Sequence, residues 1–496
     1  MASKKSKQVW EFGDFQTPQA LASQALAVLS RLELKAKSVI EPTCGNGSFL
    51  LAAANAFPSA RALVGLDVNA DYLRELHRQC REEKLATIKT IHTDFFTFDW
   101  ASLLNELEEP IAIIGNPPWV TSADLGMLGS SNLPQKSNFQ GRKGIEALTG
   151  KSNFDISEWM LLKHVEWLQT KKGVLAMLCK TAVARKVLIH AWKTGQAISA
   201  ASIHKIDALK HFDASVDACF FVVDCTGRAQ SFDCDVYESL GDERPSHIIG
   251  YREGALIADV NLYEKRHGVL GRDKYYVWRS GIKHDCSKVM ELEKEGVLFR
   301  NGAGEMVGLE EEYVYLLYKS SDISNGRLRC RKYVIVTQKT IGKDTAHIAA
   351  DAPKTWAYLV KNAEKLDRRG STIYKKRPRF SIFGVGDYSF EPWKVAISGF
   401  YKNLSFKVLA PTNGRPAMVD DTVYFLACKS KDEGEFLSDI LNSEPAHEAL
   451  NSLIFWSDKR PITVEVLKRL NIRAVAEELS REHEYDLYTG KLAATN

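Results

Sequence analysis

The sequence predicts an α/β fold, a doubly wound Rossmann-like domain followed by a mixed, β-rich second domain. Three observations carry that expectation. From Val39 to about Asp224, short apolar runs alternate with amphipathic helical patterns, the signature of successive βαβ units around a parallel sheet. A glycine-containing turn, Cys44-Gly45-Asn46-Gly47, follows the first apolar run and opens a helix, where open sheets place their ligands. After about Gly227 that alternation stops, and short β-rich pieces broken by Gly, Asn, Asp and Pro replace it. The chain therefore divides into domains 1–235 and 236–496.

Taken in order, Thr17-Pro18 starts a helix over 19–29, with a hydroxyl suited to an N-cap and a proline suited to the first helical position. Ser38-Val39-Ile40 reads as the first strand, and the turn after it feeds a helix over 50–56. Further strands are predicted at 62–66, 87–91, 111–115, 173–178 and 219–223, where apolar and β-branched residues run together between turn formers. Helical periodicity falls on 70–83 and 157–169. The stretch 126–153, rich in Gly, Ser, Asn, Gln and Lys, reads as a mobile loop. Beyond it, 354–387 and 393–421 are dense in aromatics, bases and turn formers, and helical patterning returns near 432–442 and 462–470.

With 496 residues, 45% hydrophobic and 26% charged, the composition excludes wholesale disorder and allows two substantial cores. No apolar stretch approaches a membrane span, and the basic start Met1-Ala2-Ser3-Lys4-Lys5-Ser6-Lys7 precedes no signal-type segment, so a cytoplasmic protein without membrane contact is expected. Nine cysteines without CxxC pairs or zinc-spaced histidines predict reduced thiols and no metal site. A net charge of +4 is too mild to name a nucleic-acid partner. Its distribution says more, because bases concentrate in Lys375-Lys376-Arg377-Pro378-Arg379 and around Lys459-Arg460, near aromatic residues. A solvated face is the default for either cluster alone.

The chemistry is carried by Asn116-Pro117-Pro118-Trp119, directly behind the apolar run Ile111-Ala112-Ile113-Ile114-Gly115. The Asn side-chain carbonyl and the Pro117 carbonyl are acceptors for an exocyclic amine, the prolines stiffen the backbone and donate nothing, and Trp119 offers a face for stacking. The plain alternative is a strand terminator with a packed Trp. Glu41 with Cys44, Gly45 and Gly47 is not the GxGxxG of dinucleotide sites; its acid suits an α-ammonium, which favours S-adenosylmethionine over NAD. Asp67 ends the second strand, where a carboxylate accepts ribose hydroxyls, with helix N-capping as its alternative. Asp94 follows the third strand and suits the adenine amine of the cofactor, with Phe95 over the ring; a cap and core residues are the alternative. Glu41, Asp67, Asp94 and Asn116 fall at the ends of four successive predicted strands, and this joint placement carries more than any member.

The Glu-Pro-x-Cys-Gly-x-Gly-x-Phe stretch, the strand-end acids and Asn-Pro-Pro-Trp resemble the gamma class of amino-methylating DNA methyltransferases, of the long single-chain restriction-modification type. That resemblance implies an S-adenosylmethionine-dependent methyltransferase domain followed by a DNA target-recognition domain, acting on the N6 amine of an adenine flipped out of duplex DNA. It implies that Thr17 closes over the methionine part of the cofactor, and that Phe154 and Asp155 contribute to the adenosine pocket. It also implies that Phe212 stacks opposite Trp119, the two sandwiching the flipped base. Trp119 stands where Tyr or Phe is commoner, which leaves stacking intact and the choice of amine open. In the second half, Thr355-Trp356-Ala357-Tyr358-Leu359, Gly384-Val385-Gly386-Asp387-Tyr388 and Lys394-Val395-Ala396-Ile397-Ser398-Gly399 carry the likeness. Arg377, Arg379 and Lys394 are the candidate DNA contacts.

The competing readings are N4-cytosine methylation, RNA amine methylation and, from another class, a non-catalytic DNA-binding specificity subunit. The basic, aromatic second half disfavours a small protein-glutamine methyltransferase. A fused nuclease is not expected, since no long N-terminal extension or metal-binding acidic cluster precedes the motifs; a separately encoded restriction endonuclease is the expected partner if there is one.

Overall fold

The computed structural model describes residues 16–83, 85–120, 155–227, 229–326 and 332–490. Two compact units divide the chain, Met1–Val260 and Asn261–Asn496.

In the first unit the strands β1 (Ser38–Glu41), β2 (Ala62–Asp67), β3 (Ile88–His92), β4 (Ile111–Gly115) and β5 (Gly173–Lys180) are mutually parallel, and all but the edge strand β3 are apolar and largely buried on both faces, as a parallel sheet requires. Four strands were not legible in the sequence: β6 (Ala200–Ile206), which precedes β7 (Ala218–Asp224), the pair β8 (Asp233–Tyr237) and β9 (His247–Arg252), and β10 (Ala255–Ile257) that closes them. The ten strands form one sheet in the order β10-β9-β8-β6-β7-β5-β4-β1-β2-β3. β7 runs antiparallel between β5 and β6. β6 escaped the sequence pattern because Ser202 and His204 interrupt its apolar run; both are buried, with His204 stacked on Tyr237 at 4.3 Å.

The direction of strand addition reverses at β1, which pairs β2 on one side and β4 on the other. Such a switch point leaves a crevice beyond the carboxyl ends of the strands. Helices α1 (Gln19–Arg31), α2 (Ser48–Ala56), α3 (Ala70–Glu82), α4 (Trp100–Glu106), α5 (Ile156–Trp167), α6 (Thr181–Lys193) and α7 (Ala208–Phe212) complete this unit. One core packs α1 and α2 on the sheet through Leu21, Leu26, Phe49, Leu50, Val39 and Phe220, with Phe49 and Phe220 stacked at 6.4 Å. Each such fully buried side chain contributes about 1.5–3 kcal/mol relative to exposure.

The expected boundary at 235 cuts through β8. Because β9 and β10 hydrogen-bond back onto the same sheet, the first unit continues to Val260.

The second unit holds two sheets. One is β11 (Arg279–Ser280), β20 (Val423–Cys428), β17 (Trp393–Ser398) and β18 (Lys407–Leu409), in that spatial order. The other is β14 (Met306–Val307), β13 (Leu298–Asn301), β12 (Glu291–Glu295), β16 (Lys332–Ile335), β15 (Val314–Tyr318) and β19 (Met418–Val419). Helix Lys431–Leu441 falls where the periodicity placed one, capped by Ser430 and buried through Phe436, Leu437 and Ile440. The helix expected over 462–470 shrinks to the single turn Val464–Leu467. Among the described residues no helix is long and apolar enough to cross a membrane.

Candidate active site

A cavity of about 490 Å³ opens at the carboxyl ends of β1, β2, β3 and β4, within the range of small-molecule sites. Thr17, Glu41, Cys44, Gly45, Asp67, Asp94, Phe95, Asn116 and Pro118 all line it. Glu41, Asp67, Asp94 and Asn116 thus meet because each sits at or just beyond the end of a parallel strand.

Glu41, the last residue of β1, is buried, and its Oε2 accepts a hydrogen bond from Leu50 N at 3.2 Å. Burial holds its carboxyl well above the usual carboxylate range; the Leu50 amide opposes this and the charge of Asp67 reinforces it. Its ionised form is therefore disfavoured until a cation arrives. Gly115, at φ +140°, lets β4 pass close to that carboxylate, since a Cβ there would lie 3.2 Å from Glu41 Cγ. Asp67 accepts from Gly45 N through Oδ2 and from Asn69 N through Oδ1, both at 2.8 Å. The cap of α3 is Asn69, whose side chain accepts from Asp71 N at 2.9 Å, so Asp67 is not the helix cap. The Asp67–Gly45 bond ties the glycine turn to the end of β2.

Gly47, at φ +78°, faces away from the cavity: a Cβ there would strike Leu76 of α3 at 2.4 Å. Its role is close packing of the turn on α3. Cys44 is buried against Gly65, its thiol pushed up by burial and by the nearby Glu41 and Asp67, so it is an apolar wall rather than a nucleophile. Thr17 reaches the cavity, and its carbonyl accepts from Ser48 Oγ at 2.7 Å; Pro18, not Thr17, occupies the cap position of α1, with no side-chain cap.

Phe95 is held from behind by rings: Trp100 at 4.9 Å, His164 at 5.7 Å, Trp159 at 6.0 Å and Trp167 at 6.1 Å. His164 is fully buried there, and burial lowers its pKa to about 3, leaving a neutral ring. Asp94 accepts from Phe96 N at 2.8 Å, which fixes its carboxylate at the cavity wall.

Asn116 follows β4 directly and faces the cavity with Pro118 and Val120. Trp119 points to the other side, into the core, where it meets Phe212 edge to face at 5.3 Å and 68°. The two rings, expected to sandwich a base, pack against each other. Phe212 lies at the end of α7 rather than in an open loop.

Two expected roles change. Asp155 is not on the cavity: it caps α5, accepting from Ser157 N at 3.1 Å, and pairs with Lys180 Nζ at 2.6 Å. Lys180, the last residue of β5, also donates to the Trp119 carbonyl at 3.1 Å, so the ion pair props the Asn-Pro-Pro-Trp segment from beneath. Neither link leaves a trace in the sequence, although Lys180 continues the series of strand-end polar residues. Phe154 and the stretch 126–153 lie outside the described residues. Lys394 is a second correction. It is buried at 1% exposure on β17, donates to the Glu391 carbonyl at 2.9 Å, and burial lowers its pKa to about 8, so it cannot reach a phosphate. Arg377 and Arg379 are exposed, the latter paired to Asp367 at 2.6 Å.

Sequence reasoning missed Gln16, Tyr72, Ile156 and Met160 among the lining residues. Tyr72, in the first turn of α3 after Asp67, was findable as a helix-start residue facing a strand end. Ile156 and Met160 show only the spacing of core residues.

The donor set fits S-adenosylmethionine. A buried acid whose ionisation awaits a cation, two further carboxylates fixed by backbone amides, and a braced aromatic face suit an ammonium, a ribose and a purine amine in one cavity.

The family model for N-6 DNA Methylase matches residues 1–186. The type II methyltransferase M.NspV of Nostoc sp. is 42% identical over 473 residues, covering 94% of this chain and 97% of the relative. The type IIL restriction-modification enzyme MmeI, solved in complex with DNA, aligns over 96% of this chain and 68% of its own, with a TM-score of 0.53 at 12% identity, a likeness of fold. Such identity along nearly the full length of both sequences, with the family motif opening on a donor-shaped cavity, means that the chain belongs to the N-6 DNA methylase family of type II methyltransferases.

Proposed function

We propose that this methyltransferase modifies the N6 amine of an adenine flipped out of duplex DNA, as the modification arm of a restriction-modification system. The supporting observation is that Asn116 and Pro118 share one cavity with Glu41, Asp67, Asp94 and Phe95, so amine acceptors and donor-binding groups act on the same space. When bound, S-adenosylmethionine supplies an electrophilic methyl group. Asn116 and the Pro117 carbonyl accept the two amine hydrogens, which draws the nitrogen toward tetrahedral geometry and aims its lone pair. No strong base is needed, because a methylated ammonium is acidic enough to lose its proton. Trp119 and Phe212 open to receive the base, whose extrusion costs a few kcal/mol that stacking and hydrogen bonds offset. Catalysis is then positioning plus stabilisation of developing positive charge.

N4-cytosine methylation is the second reading, since Trp119 stacks on either base. Incubating mixed-sequence bacterial DNA with protein and donor, then digesting to nucleosides, is expected to yield N6-methyladenine; N4-methylcytosine alone would transfer the proposal to cytosine. Asn116→Ala is expected to lower kcat about 10²–10³-fold, as loss of a transition-state hydrogen bond does, with donor affinity nearly unchanged. Equal turnover by both proteins would remove Asn116 from the chemistry.

A further inference from the structure

In the second unit, many bases of the described residues stand beside acids: Arg379 on Asp367, Lys319 on Glu291, Arg300 on Glu293. Other exposed cations do not, and five of these lie close together. Lys375, Lys376 and Arg377, and Lys339 and Lys343, have no carboxylate within ion-pair distance among the described residues. They belong to two loops that touch, since a Cβ built on Gly342 lies 3.3 Å from Arg377 Nη1. Lys339 is steadied over the Phe390 ring at 5.6 Å. Asp344, the acid next in the chain to Lys343, is turned toward the Ala346 amide at 3.1 Å. Between the two lysines of its loop, Ile341 is 42% exposed. Lys376 is held at φ +63°, a conformation that costs a lysine about 1 kcal/mol and a glycine nothing.

A solvated face would scatter such charges or pair them. Five unneutralised cations gathered on two contacting loops make instead a surface for a polyanion, and the regular phosphates of a duplex are the polyanion that the proposed function supplies. We propose that the loops 339–343 and 375–377 together form the phosphate-gripping surface of the second unit, with Arg379 and Lys394 outside it. This rests on the DNA reading given above and names where the duplex is held.

The test is binding of sonicated mixed-sequence DNA duplex by the full chain across a salt series, with methyl transfer measured in parallel. Replacing Lys339, Lys343 and Arg377 by Gln is expected to flatten the slope of log affinity against log salt by about 2–3, because each lost phosphate contact removes about 0.9. KM for DNA should rise at least tenfold with kcat unchanged. Lys376→Gly removes one cation while relieving its backbone, so it should keep or raise thermal stability and flatten the slope by about 0.9. A control with the same charge loss, Lys294→Gln with Arg368→Gln and Lys431→Gln, removes bases already paired to acids and should leave the slope unchanged. Equal slopes for the two triple variants, or tighter retention of single-stranded RNA than of duplex, would overturn the surface. A native protein that methylates adenine while the variants bind normally sinks only this surface; a native protein that neither binds duplex nor methylates it sinks the functional reading as well.

Discussion

Lys394 and Glu41 are both buried charges, and burial moves them in opposite directions because one must shed a proton to become neutral and the other must keep it. For Lys394 the folded pKa falls to about 8, below the usual lysine value of about 10.4 in an unfolded chain. The unfolded chain therefore binds more protons between those limits, and this group makes stability rise with pH across them. Lys394→Met is expected to be more stable than the parent at pH 7, by on the order of 1–3 kcal/mol, with the gap narrowing as pH climbs from 8 toward 10. Urea unfolding of both proteins across that range checks it; a constant gap would mean the lysine keeps its proton in the fold as it does in the unfolded chain. The same residue shows what single positions reveal in a sequence. Glu41, Asp67, Asp94 and Asn116 were legible because strand ends can be read from apolar runs, and a strand end fixes where a side chain goes. Lys394 was not, because a basic letter carries no information about burial.

Elements behave differently, because their ends are held by partners distant in sequence. Asp155 was read toward the cofactor, yet its carboxylate is consumed by the first turn of α5 and by Lys180 on β5. Asp155→Asn keeps a capping oxygen and loses the ion pair; Asp155→Ala loses both. Denaturant unfolding should show a loss of about 1 kcal/mol for the first and about 2–3 kcal/mol for the second. Activity should fall in both, since Lys180 would no longer be anchored beneath the Trp119 carbonyl. Equal losses in stability would assign the whole effect to the ion pair. The same long-range logic explains why β6 and β8 to β10 were missed: contacts such as His204 on Tyr237 of β8 and Asp233 with Arg252 of β9 join strands that the local pattern does not display.

At the scale of the whole molecule, each unit has its own buried core, and the donor cavity lies in the first. S-adenosylmethionine at a hundred times its Kd is expected to stabilise the first unit by about 2.7 kcal/mol. Scanning calorimetry should then show one transition moving up by about 5–10 °C while the other stays. A single transition that shifts as a whole would show that the units melt together. The edge-to-face pair of Trp119 and Phe212 has a thermodynamic corollary for base choice. On the proposed base-flipping reading, an incoming ring would swap one aromatic neighbour for another rather than add a wholly new contact. Under the proposed function, stacking would then be a threshold common to every base, and preference among bases would be left to the few polar atoms of Asn116 and Pro117.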